Sequence, residues 1–204
     1  MPTQEYWRRV YSSKAAETVS WYQSSPRLSL ELIRQAELVP DARTLDVGAG
    51  TSFLVDELLD DGFRKVSVLD VAPEPLDIVR ERLGKRAEDV DWIVADITTF
   101  RPDDQWDLWH DRAVFHFLID EQARAGYRRA LAEGLAPGGH AVVATFGPDG
   151  PQTCSGLPVQ CYDASGLQAA LGSDLILKSS LLDEHQTPGG GVQQFLYCLF
   201  VRPE

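Results

Sequence analysis

Along residues 44–201 the apolar positions alternate between two periods. Short apolar runs closed by glycine, proline or an acid read as strands over 44–47, 65–70, 90–96, 106–111 and 140–145. Between them apolar residues recur at three- and four-residue spacing. Leu54, Val55, Leu58 and Leu59 follow Thr51 and Ser52, either able to cap a helix, and Gly62 closes the run. A second helix starts near Pro73, a residue suited to a first turn, and a third over 121–135 presents Ala123, Tyr127, Ala130, Leu131 and Gly134 as one face. Pro137-Gly-Gly139 then reads as a turn into the fifth strand. Strands and helices in alternation predict a parallel sheet covered on both faces.

The two ends depart from this rhythm. Residues 5–35 read as two helices, the first with Trp7, Val10 and Tyr11 on one face and the second with Leu28, Leu32, Ile33 and Ala36. After a short helix over 163–171, residues 175–182 and 194–201 read as strands joined by a loop containing Thr187-Pro-Gly-Gly-Gly. Such a loop suits an antiparallel pair. The expected architecture is an α/β, seven-stranded, mostly parallel sheet with helices on both faces and an antiparallel closing strand. One domain over 1–204 accommodates it, with 1–40 as a helical flank and 41–204 as the sheet core.

Composition narrows the function classes. Asp and Glu number 31 against 19 Lys and Arg, a net charge of −12, so long-range repulsion disfavours nucleic acid as a partner. The short basic spots Arg8-Arg9, Lys85-Arg86 and Arg128-Arg129 do not amount to a patch. No stretch approaches the roughly 18 apolar residues of a membrane span, and the opening residues carry no apolar leader, so a cytoplasmic protein with no membrane partner is expected. Cys154, Cys161 and Cys198 lack metal-type spacing and are expected to stay thiols; the four histidines are equally dispersed, so no metal site is expected.

The chemistry concentrates at strand ends, where open α/β sheets bind ligands. The first strand runs into Gly48-Ala-Gly50, a turn that lets a ligand approach the backbone, and Asp70 closes the second strand about 20 residues on, as a ribose-binding acid does. A dinucleotide fingerprint needs a third small residue so that the helix packs close under a pyrophosphate. Phe53 stands there instead. That argues against an NAD(P)-binding oxidoreductase and for a nucleoside cofactor without phosphate. Asp96-Ile97 closes the third strand and Asp111 the fourth.

Asp46-Val-Gly48-Ala-Gly50-Thr-Ser resembles motif I of class I S-adenosylmethionine-dependent methyltransferases, with serine at position 52 where many members carry glycine. The flank Glu5-Tyr-Trp7-Arg-Arg-Val-Tyr11 with Val19-Ser-Trp21-Tyr22-Gln resembles one branch of that family, which includes eukaryotic protein-lysine methyltransferases and many uncharacterised bacterial members. His110-Asp111-Arg112-Ala-Val-Phe-His116 resembles the segment after strand four in the same branch. The resemblance implies a Rossmann-like fold and S-adenosylmethionine as cofactor. It assigns Gly48 and Gly50 to the methionine moiety and Asp70 to the ribose hydroxyls, and counts Asp46, Thr51 and Val71 among the cofactor-binding residues. Asp96 with the Ile97 backbone goes to the adenine, Tyr11 and Trp21 go to the cover of the cofactor, and Arg112 is a further cofactor-binding residue. Asp111 and His116 stand where a base could meet the acceptor, a small molecule or a protein side chain. The loops 150–158 and 183–191 are expected to shape the acceptor pocket. A non-catalytic S-adenosylmethionine-binding protein is the alternative.

Overall fold

A computed structural model describes residues 3–13 and 15–204. The helices are α1 (Gln4–Ser13), α2 (Arg27–Gln35), α3 (Leu54–Asp60), α4 (Pro73–Leu83), α5 (Glu121–Gly134) and α6 (Ala164–Leu171). The main sheet is built from β1 (Arg43–Val47), β2 (Lys65–Asp70), β3 (Val90–Val94), β4 (Trp106–Arg112), β5 (Leu135–Phe146), β8 (Ile176–Gln186) and β9 (Val192–Val201). A two-stranded ribbon pairs β6 (Thr153–Cys154) with β7 (Leu157–Pro158). The main sheet has the order β3-β2-β1-β4-β5-β9-β8; the first five strands run parallel and β9 is antiparallel to both neighbours. This is the architecture expected from the sequence. The chain reverses its strand order between β1 and β4, which opens a crevice at their carboxyl ends.

Two apolar layers hold the sheet. On one face Leu54, Val55 and Leu58 of α3, Leu76 and Val79 of α4, and Leu32 of α2 pack on Val66, Val68 and Leu108. On the other, Tyr127, Ala130 and Leu131 of α5 pack on Leu45, Trp109 and Val143. Two buried indoles there find partners: Trp109 Nε1 donates to the Tyr127 hydroxyl (3.0 Å) and Trp106 Nε1 to Ser67 Oγ (3.1 Å).

Several boundaries move, each for a local reason. Helix α3 starts at Leu54, because Ser52 Oγ accepts the Leu54 N–H (3.1 Å) and holds the preceding turn open. Strand β3 stops at Val94, two residues before Asp96, although the Ala95 N–H still reaches Asp70 O (3.0 Å). Strand β5 leaves α5 directly at Leu135, and Pro137-Gly-Gly139 lies within a bulge against β4, where Trp106 pairs with Leu135 but Leu108 with His140. Strands β8 and β9 extend past the predicted loop ends and leave only residues 187–191 as the turn. Residues 183–186, expected in a loop, therefore belong to a strand.

Candidate functional site

The turn after β1 is shaped by its glycines. Gly48 and Gly50 have φ of +64° and +54°, in the left-handed region. A Cβ on Gly48 would lie 2.0 Å from Val114 Cγ2, and one on Gly50 2.6 Å from Tyr11 Oη. The turn is tied to the end of β2: the Gly48 and Ala49 N–H groups donate to Leu69 O (2.7 and 3.1 Å), and the Gly50 N–H to Asp70 Oδ2 (3.0 Å). Asp70 Oδ1 accepts from the Ala72 N–H (2.9 Å). Burial pushes the Asp70 carboxyl up to about 6, against the pull of these backbone donors and with the help of the Asp46 charge.

Phe53, in the third place of the glycine pattern, supports Arg82. The guanidinium sits 4.2 Å over the Phe53 ring, donates to Thr51 O and Ser52 O (3.0 and 2.6 Å) and pairs with both Asp56 oxygens (2.6 and 3.2 Å). One half-buried cation thus braces the backbone of the turn. Arg82→Ala is expected to lower stability by about 1–3 kcal/mol, the scale of hydrogen bonds to a charged group, and chemical denaturation with an unchanged m-value would show it.

A cavity of about 620 Å³ opens from Gly48 and Asp70. Val47, Leu69, Val71, Ala95, Ile97 and Val114 form one wall, and Trp7, Tyr11, Trp21, Phe117 and Cys154 the other. A second chamber of about 490 Å³ continues past Gly48 to Gly50, Thr51, Asp46 and His110, and shares Trp21 and Arg112 with the first. The roof is aromatic. Trp7 packs edge-on against Trp21 (6.1 Å) and Phe117 (5.3 Å), and the Trp21 indole hydrogen-bonds to the Tyr11 hydroxyl. Helix α1, which carries Trp7 and Tyr11, is tethered on both rims: Gln4 Nε2 donates to Val71 O (2.8 Å), Arg8 pairs with Glu74 (2.6 Å), and the Tyr6 hydroxyl donates to Ser155 O.

Arg112 is the cation common to both chambers. Its Nε donates to the Tyr197 hydroxyl (2.8 Å), its Nη1 to Trp21 O (2.9 Å), and its guanidinium lies 4.5 Å over the Phe195 ring. Its buried Nη2 has no partner among the described residues. A buried guanidinium N–H without an acceptor is costly and suits an anionic group of a ligand.

Asp46 is engaged elsewhere. Its Oδ1 lies 2.6 Å from His110 Nδ1, and His110 Nε2 lies 2.8 Å from Ser29 Oγ, all three residues buried. Asp96 accepts from the Thr98 N–H (2.9 Å) and hydroxyl (2.7 Å), so it shapes the turn that presents Ala95 and Ile97 and does not itself line the cavity.

The structure does not bring Asp111 and His116 to the cavity, which corrects the expectation that they meet the acceptor. Asp111 is fully buried and accepts the N–H groups of Val114 (2.9 Å) and Phe115 (3.2 Å), fixing the turn after β4; burial pushes its carboxyl up to about 7. His116 is fully buried between Phe117 and Phe146, where its Nδ1 accepts the Phe146 N–H (3.3 Å), and burial with the Arg112 charge pushes it down to about 3. The ribbon over 153–158 reaches the cavity through Cys154, but His185 is buried in β8 with Nε2 2.8 Å from Ser20 O. Sequence reasoning missed Ser29, Arg82, Val114 and Tyr197, which act through contacts 26 to 174 residues away in the chain.

Residues 44–139 match the family described as Methyltransferase domain. The match spans a little under half of the 204 residues, and over that segment the chain is similar to methyltransferases. Nodulation protein S of Rhizobium tropici is 32% identical to this chain over 103 residues, 50% of this chain and 42% of that protein. The eEF1A lysine and N-terminal methyltransferase of Mus musculus is 23% identical over 133 residues, 63% of this chain and 19% of that protein. The chain therefore spans less than half the length of either curated relative. The crystal structure of N-methyltransferase NodS from Bradyrhizobium japonicum WM9 with S-adenosyl-L-homocysteine superposes with a TM-score of 0.73 at 20% identity, covering 97% of this chain and 98% of that one. At that identity the likeness speaks for the fold alone. The matched segment holds the glycine turn, Asp70 and Arg112; most of the roof, from Trp7 to Trp21 and at Cys154, lies outside it.

Proposed function

We propose that this protein transfers a methyl group from S-adenosylmethionine to a small molecule or a protein side chain. One observation carries the reading: the glycine turn and Asp70 form the floor of an aromatic-roofed cavity in which Arg112 presents an unspent, buried N–H. The residues fit the cofactor part by part. Asp70 accepts from ribose hydroxyls, Val71 and the Ile97 backbone flank the adenine, and Gly48, Gly50 and Thr51 leave room for the methionine chain. Arg112 Nη2 takes the carboxylate. Asp46 acts indirectly, by holding β1 to β4 through His110.

The cofactor, when bound, supplies an electrophilic methyl on a sulfonium. Trp7, Tyr11 and Trp21 exclude water from that centre, and their faces favour the cation. The walls orient the acceptor for in-line approach. Asp111 and His116 lie outside the cavity lining, so this reading assigns the rate acceleration mainly to orientation of the acceptor. The protein is proposed to be cytoplasmic, with residues 1–204 forming one methyltransferase domain; the charge of −12 speaks against nucleic acid as acceptor. Among the described residues no helix is long and apolar enough to cross a membrane.

Calorimetric titration with S-adenosylmethionine, S-adenosylhomocysteine and NAD tests the cofactor. Tritium-methyl transfer into cell lysate, sorted into protein and small-molecule fractions, tests turnover. Binding without turnover would favour a non-catalytic binder, and binding of NAD alone would overturn the reading. The pH profile adds a check. Asp70 must be ionised to accept from both ribose hydroxyls, so affinity for S-adenosylhomocysteine is expected to be level above about pH 7 and to fall by about tenfold per unit below its pKa of about 6. Asp70→Asn should bind weakly and without that slope.

A further inference from the structure

The segment that carries Trp21 has little apolar surface of its own. Ala15, Glu17, Thr18, Ser24 and Ser25 are exposed, and between Ala15 and Ser25 only Val19 is buried. A stretch of this kind cannot fix itself in place by burial. It is held by side chains of the sheet instead. Arg112 at the end of β4 donates to Trp21 O, His185 of β8 lies 2.8 Å from Ser20 O, and Gln23 Nε2 reaches the Tyr197 hydroxyl of β9 at 3.4 Å. A carbonyl can only accept, so His185 carries its proton on Nε2 and donates it to Ser20.

We infer that His185 is a positioning residue that latches the 19–23 segment over the cofactor site and so sets the place of Trp21 in the roof. The inference rests on the proposed cofactor reading of the cavity. Three features separate the latch from ordinary packing. First, β8 is an edge strand whose residues are otherwise exposed or half-buried, and His185 is its one buried residue. Second, the imidazole stands edge-on to Phe195 (5.8 Å, 89°), the ring that also carries the Arg112 guanidinium, so both donors to the segment are seated on one aromatic side chain. Third, Ser20 and Trp21 are consecutive, and their two carbonyls are each held by one of these donors. Arg112 and Asp183 are the charged groups acting on the ring, while burial, with Arg112 beside it, holds its pKa below the ordinary value and keeps the donor neutral.

The test is a pair of substitutions read against each other. His185→Phe keeps the ring and removes the donor; His185→Gln can place an amide N–H near the same carbonyl. Calorimetry with S-adenosylhomocysteine should show His185→Phe weakened by about tenfold and His185→Gln within about twofold of the parent, the scale of one net hydrogen bond. Hydrogen exchange at residues 19–23 should quicken in His185→Phe and recover in His185→Gln, with exchange in β1 unchanged. Equal affinity and exchange in His185→Phe and the parent would overturn the latch, as would a His185→Gln variant as impaired as His185→Phe. If the parent fails to bind S-adenosylhomocysteine, the cofactor reading falls, and exchange in the two unliganded variants still decides the latch. If His185→Phe does not fold, recovery or loss of segment protection in His185→Gln decides it.

Discussion

Gly48→Val is expected to abolish binding of S-adenosylhomocysteine, the largest functional effect of any single change at the site. The first carbon of the new side chain would stand 2.0 Å from Val114 Cγ2, and Val114 is itself a cavity wall residue that cannot retreat without narrowing the space behind it. A β-branched residue also resists a φ of +64°, at a cost of about 1–3 kcal/mol. Turn and wall must both shift, and the Gly48 and Ala49 N–H groups that bind Leu69 O shift with them. The end of β2, with Asp70, moves in consequence. Calorimetry should show no heat of binding at ligand concentrations a hundred times the parent dissociation constant, while circular dichroism still reports a folded α/β protein. Parent-like affinity would mean that the ligand does not lie against this turn.

His110→Leu is expected to give the largest loss of stability, about 3–5 kcal/mol, because it leaves the Asp46 carboxylate buried at 3% exposure without its partner at 2.6 Å. The same change strands the Ser29 hydroxyl on α2. For a chain of this length the melting temperature should fall on the order of 10 °C. Asp46→Asn combined with His110→Leu removes the charge as well and should recover part of the loss. A double variant no more stable than His110→Leu would show that the pair contributes by shape alone. Because Asp46 and His110 sit on β1 and β4 at the strand-order reversal, the pair fixes the width of the crevice.

The parallel core was legible because each strand is a short apolar run with a hard stop, and each helix shows its inward face in the spacing. Gly48, Gly50 and Asp70 were legible for a similar reason: local chain geometry, with its ligand-facing backbone, is written in neighbouring residues. What the sequence hid is long-range. Nothing around Ser29 marks it as the partner of a histidine 81 residues away, and Asp111 looks like an exposed strand-end acid until the turn at Val114 and Phe115 folds back over it. His116 misled in the same way. A histidine among aromatics reads as a base near a substrate or as a core residue, and only the packing of Phe117 and Phe146 on its ring decides. The starts of α3 and β5 were misplaced because Ser52 and the Pro137-Gly-Gly139 bulge take roles here that differ from the caps and turns the same residues form elsewhere.

The double tethering of α1 bears on timing. A flap fixed along one rim swings open on its own hinge, but this helix is held to Val71 and Glu74 on one side and to Ser155 on the other. To let a nucleoside pass, it must let go of both. On the proposed reading, escape of spent cofactor then requires concerted rupture of several contacts, a rare fluctuation compared with rotation of a single loop. On the same reading, residence time of the product, more than the intrinsic ease of the substitution at carbon, is expected to set the pace of successive cycles.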